Sequence, residues 1–413
     1  MAATEITVSG STQQFSSKVL LATAVVIVED DEGSQFPVRA LLDSGSEMFG
    51  WVVCGGLTNP SQGLSINCST ATTQGLEELV ARFWASEEIG SSKVLSLEES
   101  KCEDIFRKSV RRESDGRYSV SLPKDEDAIS RLGEARDIAF RRLQGTERRL
   151  ARDVGLREQY HQFMEEYIRL GHMTKIEETA DLEKRCYLPH HPVIKEASTT
   201  TKVRVVFDAS CKTSSGVSLN DALLVGPIVQ EDLRSIMLRS RVKIIMLVAD
   251  VEKIFRQIFV LQVDRPLQCI LWRFDPSEPV GVYKLNTVTY GTKPFLATRT
   301  LNQLAMDEEE QYPMAARATT EDTYMDDVIT GADTVENARE LCKQLNEMTC
   351  KGGFKLRKWA SNHQAALESV SEDNLAIRVS EGINLDPDPV VKTLGLTWMP
   401  TSDQLKFQFT IPG

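Results

Sequence analysis

The segment Thr323-Tyr324-Met325-Asp326-Asp327-Val328-Ile329 sets two neighbouring acids among apolar and β-branched residues. Side chains of neighbours on a strand point to opposite faces, so both acids can serve one site only where the chain bends. The segment is therefore read as a hairpin tip between two short strands. An Asp-Asp pair alone is more often an acidic surface turn. What shifts the balance is Asp250, which ends the apolar run Ile244-Ile245-Met246-Leu247-Val248-Ala249. A buried strand that stops on a carboxylate puts a costly charge at a sheet edge unless a cation or a hydrogen-bond partner compensates it. Three carboxylates meeting on one sheet make a site for two divalent metals.

The chain has 413 residues and 41% hydrophobic content, enough for two or three domains with a sizeable core. A net charge of −12 argues against a general nucleic-acid binder. The charge is uneven, however. Lys195 to Lys243 carries eight bases against five acids, and Lys351 to Lys358 carries four bases and no acid, so positive grooves are compatible with the composition. The eight cysteines include no C-x-x-C pair and no zinc spacing, which reads as reduced thiols of an intracellular, cytoplasmic protein. No apolar stretch is long enough for a membrane span, and no targeting signal is visible.

Residues 1–17 are Ser/Thr/Gln-rich. A strand over 18–28 and a return strand over 38–42 follow, the latter ending in Asp43-Ser44-Gly45. An apolar strand running into Asp-Ser-Gly is how an aspartic protease presents its acid; one such motif supplies one of two aspartates, so activity requires a homodimer. Gly55 to Thr73 has linker composition, and helical periodicity appears at 76–84 and 102–106. Asp115 to Pro123 reads as a turn into a strand. A basic helix is expected over 129–156, its arginines on a solvated face, and a second helix over 159–170, capped at Gly171-His172. The His161/His172 and His190/His191 pairs are assigned no metal. Tyr187–Ile194 and Lys202–Asp208 form a hairpin whose Lys202 and Arg204 suit a triphosphate.

Asp250-Val251-Glu252-Lys253-Ile254-Phe255-Arg256-Gln257-Ile258, followed by Tyr324-Met325-Asp326-Asp327, resembles motifs A and C of reverse transcriptases. With Tyr290-Gly291-Thr292-Lys293-Pro294-Phe295 and Lys392-Thr393-Leu394-Gly395-Leu396, the chain resembles the polyprotein of a BEL/Pao-type LTR retrotransposon over most of its length. The resemblance implies a protease remnant at 1–54, a helical connector at 55–156, fingers at 157–243, a palm running to the primer grip at 244–400 and the truncated start of a thumb at 401–413. The implied fold class is α+β, a right-hand fingers-palm module. Its antiparallel sheet is expected from 243–250, 257–262, 323–330 and 392–398, backed by helices at 294–309 and 334–349, with a hairpin pairing 268–273 with 282–285.

The same resemblance implies roles. Asp250 and Asp326 bind two Mg²⁺ ions and Asp327 positions one; Arg204 and Lys202 hold the nucleoside triphosphate. Phe255 excludes a ribose 2′-hydroxyl, and Gln257 lies near template or nucleotide. Tyr324 and Met325, Gly291, Leu394 and Gly395 approach template and primer. The implied partners are an RNA or DNA template-primer and deoxynucleoside triphosphates, with no membrane and with a cytoplasmic or particle-bound location. Three departures stand out, one of them a chain expected to stop at Gly413 just past the primer grip with almost no thumb. Only Thr292 and Lys293 separate Gly291 from Pro294, a loop about two residues shorter than is usual for reverse transcriptases, and the protease remnant lacks the middle that carries a flap, so Asp43 is expected to be inert. Three functions follow in order: an RNA-directed DNA polymerase, a folded but non-catalytic retroelement remnant, and a dimeric aspartic peptidase.

Overall fold

The computed structural model describes residues 23–29, 35–41, 52–53, 95–177, 184–194, 203–376, 391–393, 396–400 and 403–407. The chain mixes helices and sheets and divides into two units, 95–381 and 1–94 with 382–413. In the second of these, β1 (Thr23–Glu29) and β2 (Gln35–Leu41) pair antiparallel from Thr23↔Leu41 to Glu29↔Gln35, and β3 (Val52–Val53) adds to β2. Asp43-Ser44-Gly45 and the helix expected at 76–84 lie outside the described residues.

The larger unit opens with α1 (Leu97–Ser109), started by a capping box in which Ser96 and Glu99 satisfy each other's backbone. β4 (Arg111–Arg112) and β5 (Tyr118–Val120) form the turn-and-strand expected at 115–123. After the short α2 (Glu126–Ser130) come α3 (Arg136–Arg152) and α4 (Val154–Arg169). The stretch expected to be one helix over 129–156 is thus broken. Asp153 takes extended angles and accepts the Leu156 N–H at 3.0 Å, which ends one helix and starts the next. Gly171 at φ +72° closes α4.

β6 (Met173–Ile176) joins β12 below; β7 (His190–Ile194) and β8 (Val203–Phe207) form the expected hairpin. α5 (Leu219–Ala222) and α6 (Leu233–Val242) lead into β9 (Ile245–Val251). β10 (Phe259–Val260) pairs parallel with β5, and β11 (Cys269–Trp272) pairs with β12 (Gly281–Leu285) as the sequence suggests. Next come α7 (Phe295–Glu308), α8 (Pro313–Glu321), the hairpin β13 (Thr323–Tyr324) and β14 (Asp327–Ala332), α9 (Val335–Lys351) and β15 (Leu356–Ser361). The smaller unit resumes with β16 (Val391–Thr393), β17 (Leu396–Met399) and β18 (Gln404–Phe407), a sheet of their own.

The sheet that matters is antiparallel, in the order β13-β14-β9-β15. β9 is its central strand, and every residue but Asp250 is buried, which is why its sequence is apolar without alternation. Helices α6 and α9 pack against it.

Two strands expected in this sheet are elsewhere. Lys253 adopts the left-handed conformation at φ +51° and turns the chain into a 3₁₀ helix at Ile254–Gln257, so 257–262 leaves the sheet and meets β5 instead. The 392–398 segment pairs within the smaller unit, where Trp398 is buried and donates its indole N–H to Asp403 at 3.0 Å. The fourth strand is β15.

Candidate active site

Asp250 and Asp327 are direct cross-strand partners of β9 and β14, so their side chains leave the sheet on one face. Asp326 sits at the two-residue turn between Tyr324 and Asp327. There Met325 takes the left-handed conformation at φ +56° and donates its N–H to Gln230 Oε1 at 2.9 Å. The Asp326 carbonyl accepts the Val251 N–H at 2.7 Å, tying the turn to the end of β9. Three acids that are far apart in sequence thus gather at one sheet edge.

Like charges placed directly opposite one another destabilise a strand pair. The effect shows on the carboxyls. Burial first, then the charges of Asp326 and Asp250, push Asp327 up to about 7. Burial and then Asp250 also raise Asp326, against the pull of its own backbone N–H, Lys358 and Arg204. Asp326 itself is exposed, so its desolvation comes from the density of protein around the carboxylate rather than from closure to water.

The opposite edge of β9 supplies a cation. β15 carries one extra residue between Arg357 and Ala360, and in this bulge Lys358 takes φ +54°. The bulge aims the Lys358 ammonium at Asp250 Oδ2, 2.8 Å away, while Arg357 pairs with Glu252 at 2.8 Å. Of the four non-glycine residues with positive φ among the described residues, Lys253, Met325 and Lys358 all flank the acids, and only Asp403 lies elsewhere. Left-handed backbone at a bulky residue is costly, and its concentration here marks a site whose geometry the surrounding structure enforces.

A wall of the site is built from the segment after β9. Lys253 and Arg256 both bond Glu166 of α4, at 2.6 and 3.1 Å, and the buried Arg256 guanidinium lies over the Phe163 and Tyr167 rings. With Ile254 and Arg256 turned inward, Phe255 and Gln257 are left half-buried, and the Phe255 ring meets Tyr290 at 4.9 Å. Burial raises the Tyr290 hydroxyl, which feels Arg256 and Arg204 on one side and Asp326 and Asp250 on the other. Tyr290, Arg204 and the acids therefore share one electrostatic neighbourhood. Beside them Gly291 adopts φ +112° so close to β8 that an added Cβ would stand 2.1 Å from the Phe207 carbonyl oxygen, and Asn220 Nδ2 holds the Gly291 carbonyl at 2.8 Å.

Of the residues singled out in the sequence, Asp250, Asp326, Asp327, Arg204, Phe255, Tyr324 and Met325 come together around this edge, and Gly291 adjoins it through Tyr290 and Phe207. Gln257 ends the 3₁₀ turn, half-buried. Lys202, Leu394 and Gly395 lie outside the described residues. The sequence marks Lys358 as the last of a run of four bases, with no sign of its contact with Asp250, and does not mark Gln230.

The donor set consists of carboxylate oxygens, the ligands hard dications take, and two of the three acids are pushed up in part by mutual repulsion that a dication would relieve. The residues fit such an ion in chemistry. Among the described residues, however, no three His, Cys, Asp or Glu side chains already converge as a ligand group, and Asp250 is turned towards Lys358. No helix of the described residues is long and apolar enough to cross a membrane. No protein-family model matches the chain, and no curated protein matches it.

Proposed function

We propose that the chain is an RNA-directed DNA polymerase of the BEL/Pao retrotransposon type, with the β13-β14-β9-β15 sheet as its palm and the β7-β8 hairpin as part of its fingers. The observation that carries the reading is the placement of Asp250 opposite Asp327, with Asp326 at the adjoining turn. Asp250 and Asp326 would hold two Mg²⁺ or Mn²⁺ ions and Asp327 would position one; bound there, the ions supply activation of a primer 3′-hydroxyl and neutralisation of the leaving pyrophosphate. Arg204 brings a guanidinium to the same edge, suited to bidentate phosphate contacts on a deoxynucleoside triphosphate. The Phe255–Tyr290 ring pair forms a stiff apolar surface that would exclude a ribose 2′-hydroxyl. Met325, fixed through Gln230, holds the hairpin tip against which a primer end would rest.

A second reading, a folded remnant that binds without catalysing, is favoured by one contact, the Lys358 ammonium on Asp250. Primer extension on an RNA template with Mg²⁺ separates the two. The polymerase reading expects extension by the natural chain and a loss on the order of 10³-fold in Asp326→Asn, since a lost metal ligand costs several kcal/mol of transition-state stabilisation. Equal product from both proteins refutes it.

A further inference from the structure

The exposed arginines of α3 form a second charged feature. Arg141, Arg148 and Arg152 recur at helical spacing, with Arg142 and Arg149 beside them, and all five are exposed. From Arg141 to Arg152 the helix rises ~16 Å. At its far end, Arg148, Arg149 and Arg152 line a groove of about 440 Å³ with Gly145, Asp153 and Leu156.

Apart from the contact of Arg142 with Asp208, little acid answers this charge among the described residues. Glu147 is committed to Arg273 by two bonds of 2.7 and 3.0 Å, and Asp153 Oδ1 caps α4. Arg141 and Arg148 direct their Nε–H groups to backbone carbonyls of Asp137 and Gln144, and among the described residues no carboxylate is bonded to either. The chain as a whole carries −12, so a basic stripe is not a by-product of composition. At its near end Arg142 lies 3.5 Å from Asp208, the residue that follows β8. The apolar residues of α3, Ala139, Leu143 and Leu150, are buried in the core, so the helix has no face to insert into a lipid surface.

We infer that this stripe is a docking surface for the phosphate backbone of a single-stranded nucleic acid. With no exposed aromatic among its lining residues, the surface reads phosphates and not bases, so binding is independent of sequence. The strand's identity as template rests on the polymerase reading; the contact itself does not.

The test is fluorescence anisotropy of a labelled 20-nucleotide single-stranded RNA with the full chain in EDTA, between 50 and 300 mM KCl. The natural chain is compared with an Arg148→Gln/Arg149→Gln/Arg152→Gln variant and with the Lys triple at the same positions. The inference expects the Gln triple to lose at least tenfold in affinity at 100 mM salt. It also expects the slope of log K against log salt to flatten by about 2, since three phosphates each contribute ~0.7. The Lys triple should keep the slope, and thermal melting should show all three folded. Equal affinity and slope for the natural chain and the Gln triple overturn the inference, as does a natural chain that binds no RNA or prefers anionic vesicles. A flattened slope in a protein that extends no primer would sink the polymerase reading and leave the docking surface standing. Normal extension with unchanged slopes would do the reverse.

Discussion

Asp327→Asn should stabilise the protein, and by an amount that grows with pH. The Asp327 carboxyl titrates at about 7 in the fold against an ordinary 3.8, because burial and two neighbouring acids oppose its charge. A folded value above the unfolded one means that the folded state holds the proton longer. The associated stability is fully present below pH 3.8 and is lost as pH rises towards 7. At ~1.4 kcal/mol per pH unit the ceiling is ~4 kcal/mol. Asp327 is only half-buried, and screening by solvent brings the expectation to ~2 kcal/mol. Asparagine keeps the shape and cannot ionise. Urea unfolding in EDTA should therefore show the two proteins about equal at pH 4.5 and the variant ~2 kcal/mol more stable at pH 8. Saturating Mg²⁺ should narrow the gap by stabilising the natural protein alone. A variant less stable at pH 8, or a gap that does not change with pH, would refute the account of three acids sharing one edge.

Other consequences concern the frame around the site. Glu103 and Arg299 form a bidentate pair with side chains 10% and 7% exposed, so Glu103→Gln should cost ~3–5 kcal/mol in chemical denaturation by stranding the guanidinium. Gly291→Ala must fit a Cβ against the Phe207 carbonyl at φ +112° and should lose ~1–3 kcal/mol, with the melting temperature as readout. His190 is buried between the Tyr160 hydroxyl and the Leu271 carbonyl, and burial pushes it down to about 4. Its contribution is present above pH 6.5 and lost as pH falls towards 4. His190→Asn should therefore lower the slope of stability against pH in that window by one proton, ~1.4 kcal/mol per pH unit.

Much of the larger unit could be read from the chain because local rules and tertiary context agree there. The apolar run of β9 and the turn between Tyr324 and Asp327 each announce their element, and the β7-β8 and β11-β12 hairpins lie where β-rich runs flank turn residues. Sheet membership was harder. Nothing in 257–262 reveals that a left-handed Lys253 diverts the chain, because that conformation is imposed on a lysine with no preference for it. Nor does any local signal show that Leu356–Ser361 pairs with β9; strand pairing is a long-range choice that propensity does not encode. The Lys358 contact escaped for the same reason, since it depends on one extra residue in a bulge. Asp153, by contrast, is a strong cap sitting inside a helical pattern, and it divides α3 from α4 as capping chemistry dictates.

The central claim is that Asp250, Asp326 and Asp327 form one dication-binding edge. Titration with Mn²⁺, followed by electron paramagnetic resonance of the free ion, tests it without any substrate. The account predicts saturable binding of about two ions per chain in the natural protein and loss of that binding in Asp250→Asn. Identical Mn²⁺ uptake by the two proteins would contradict it.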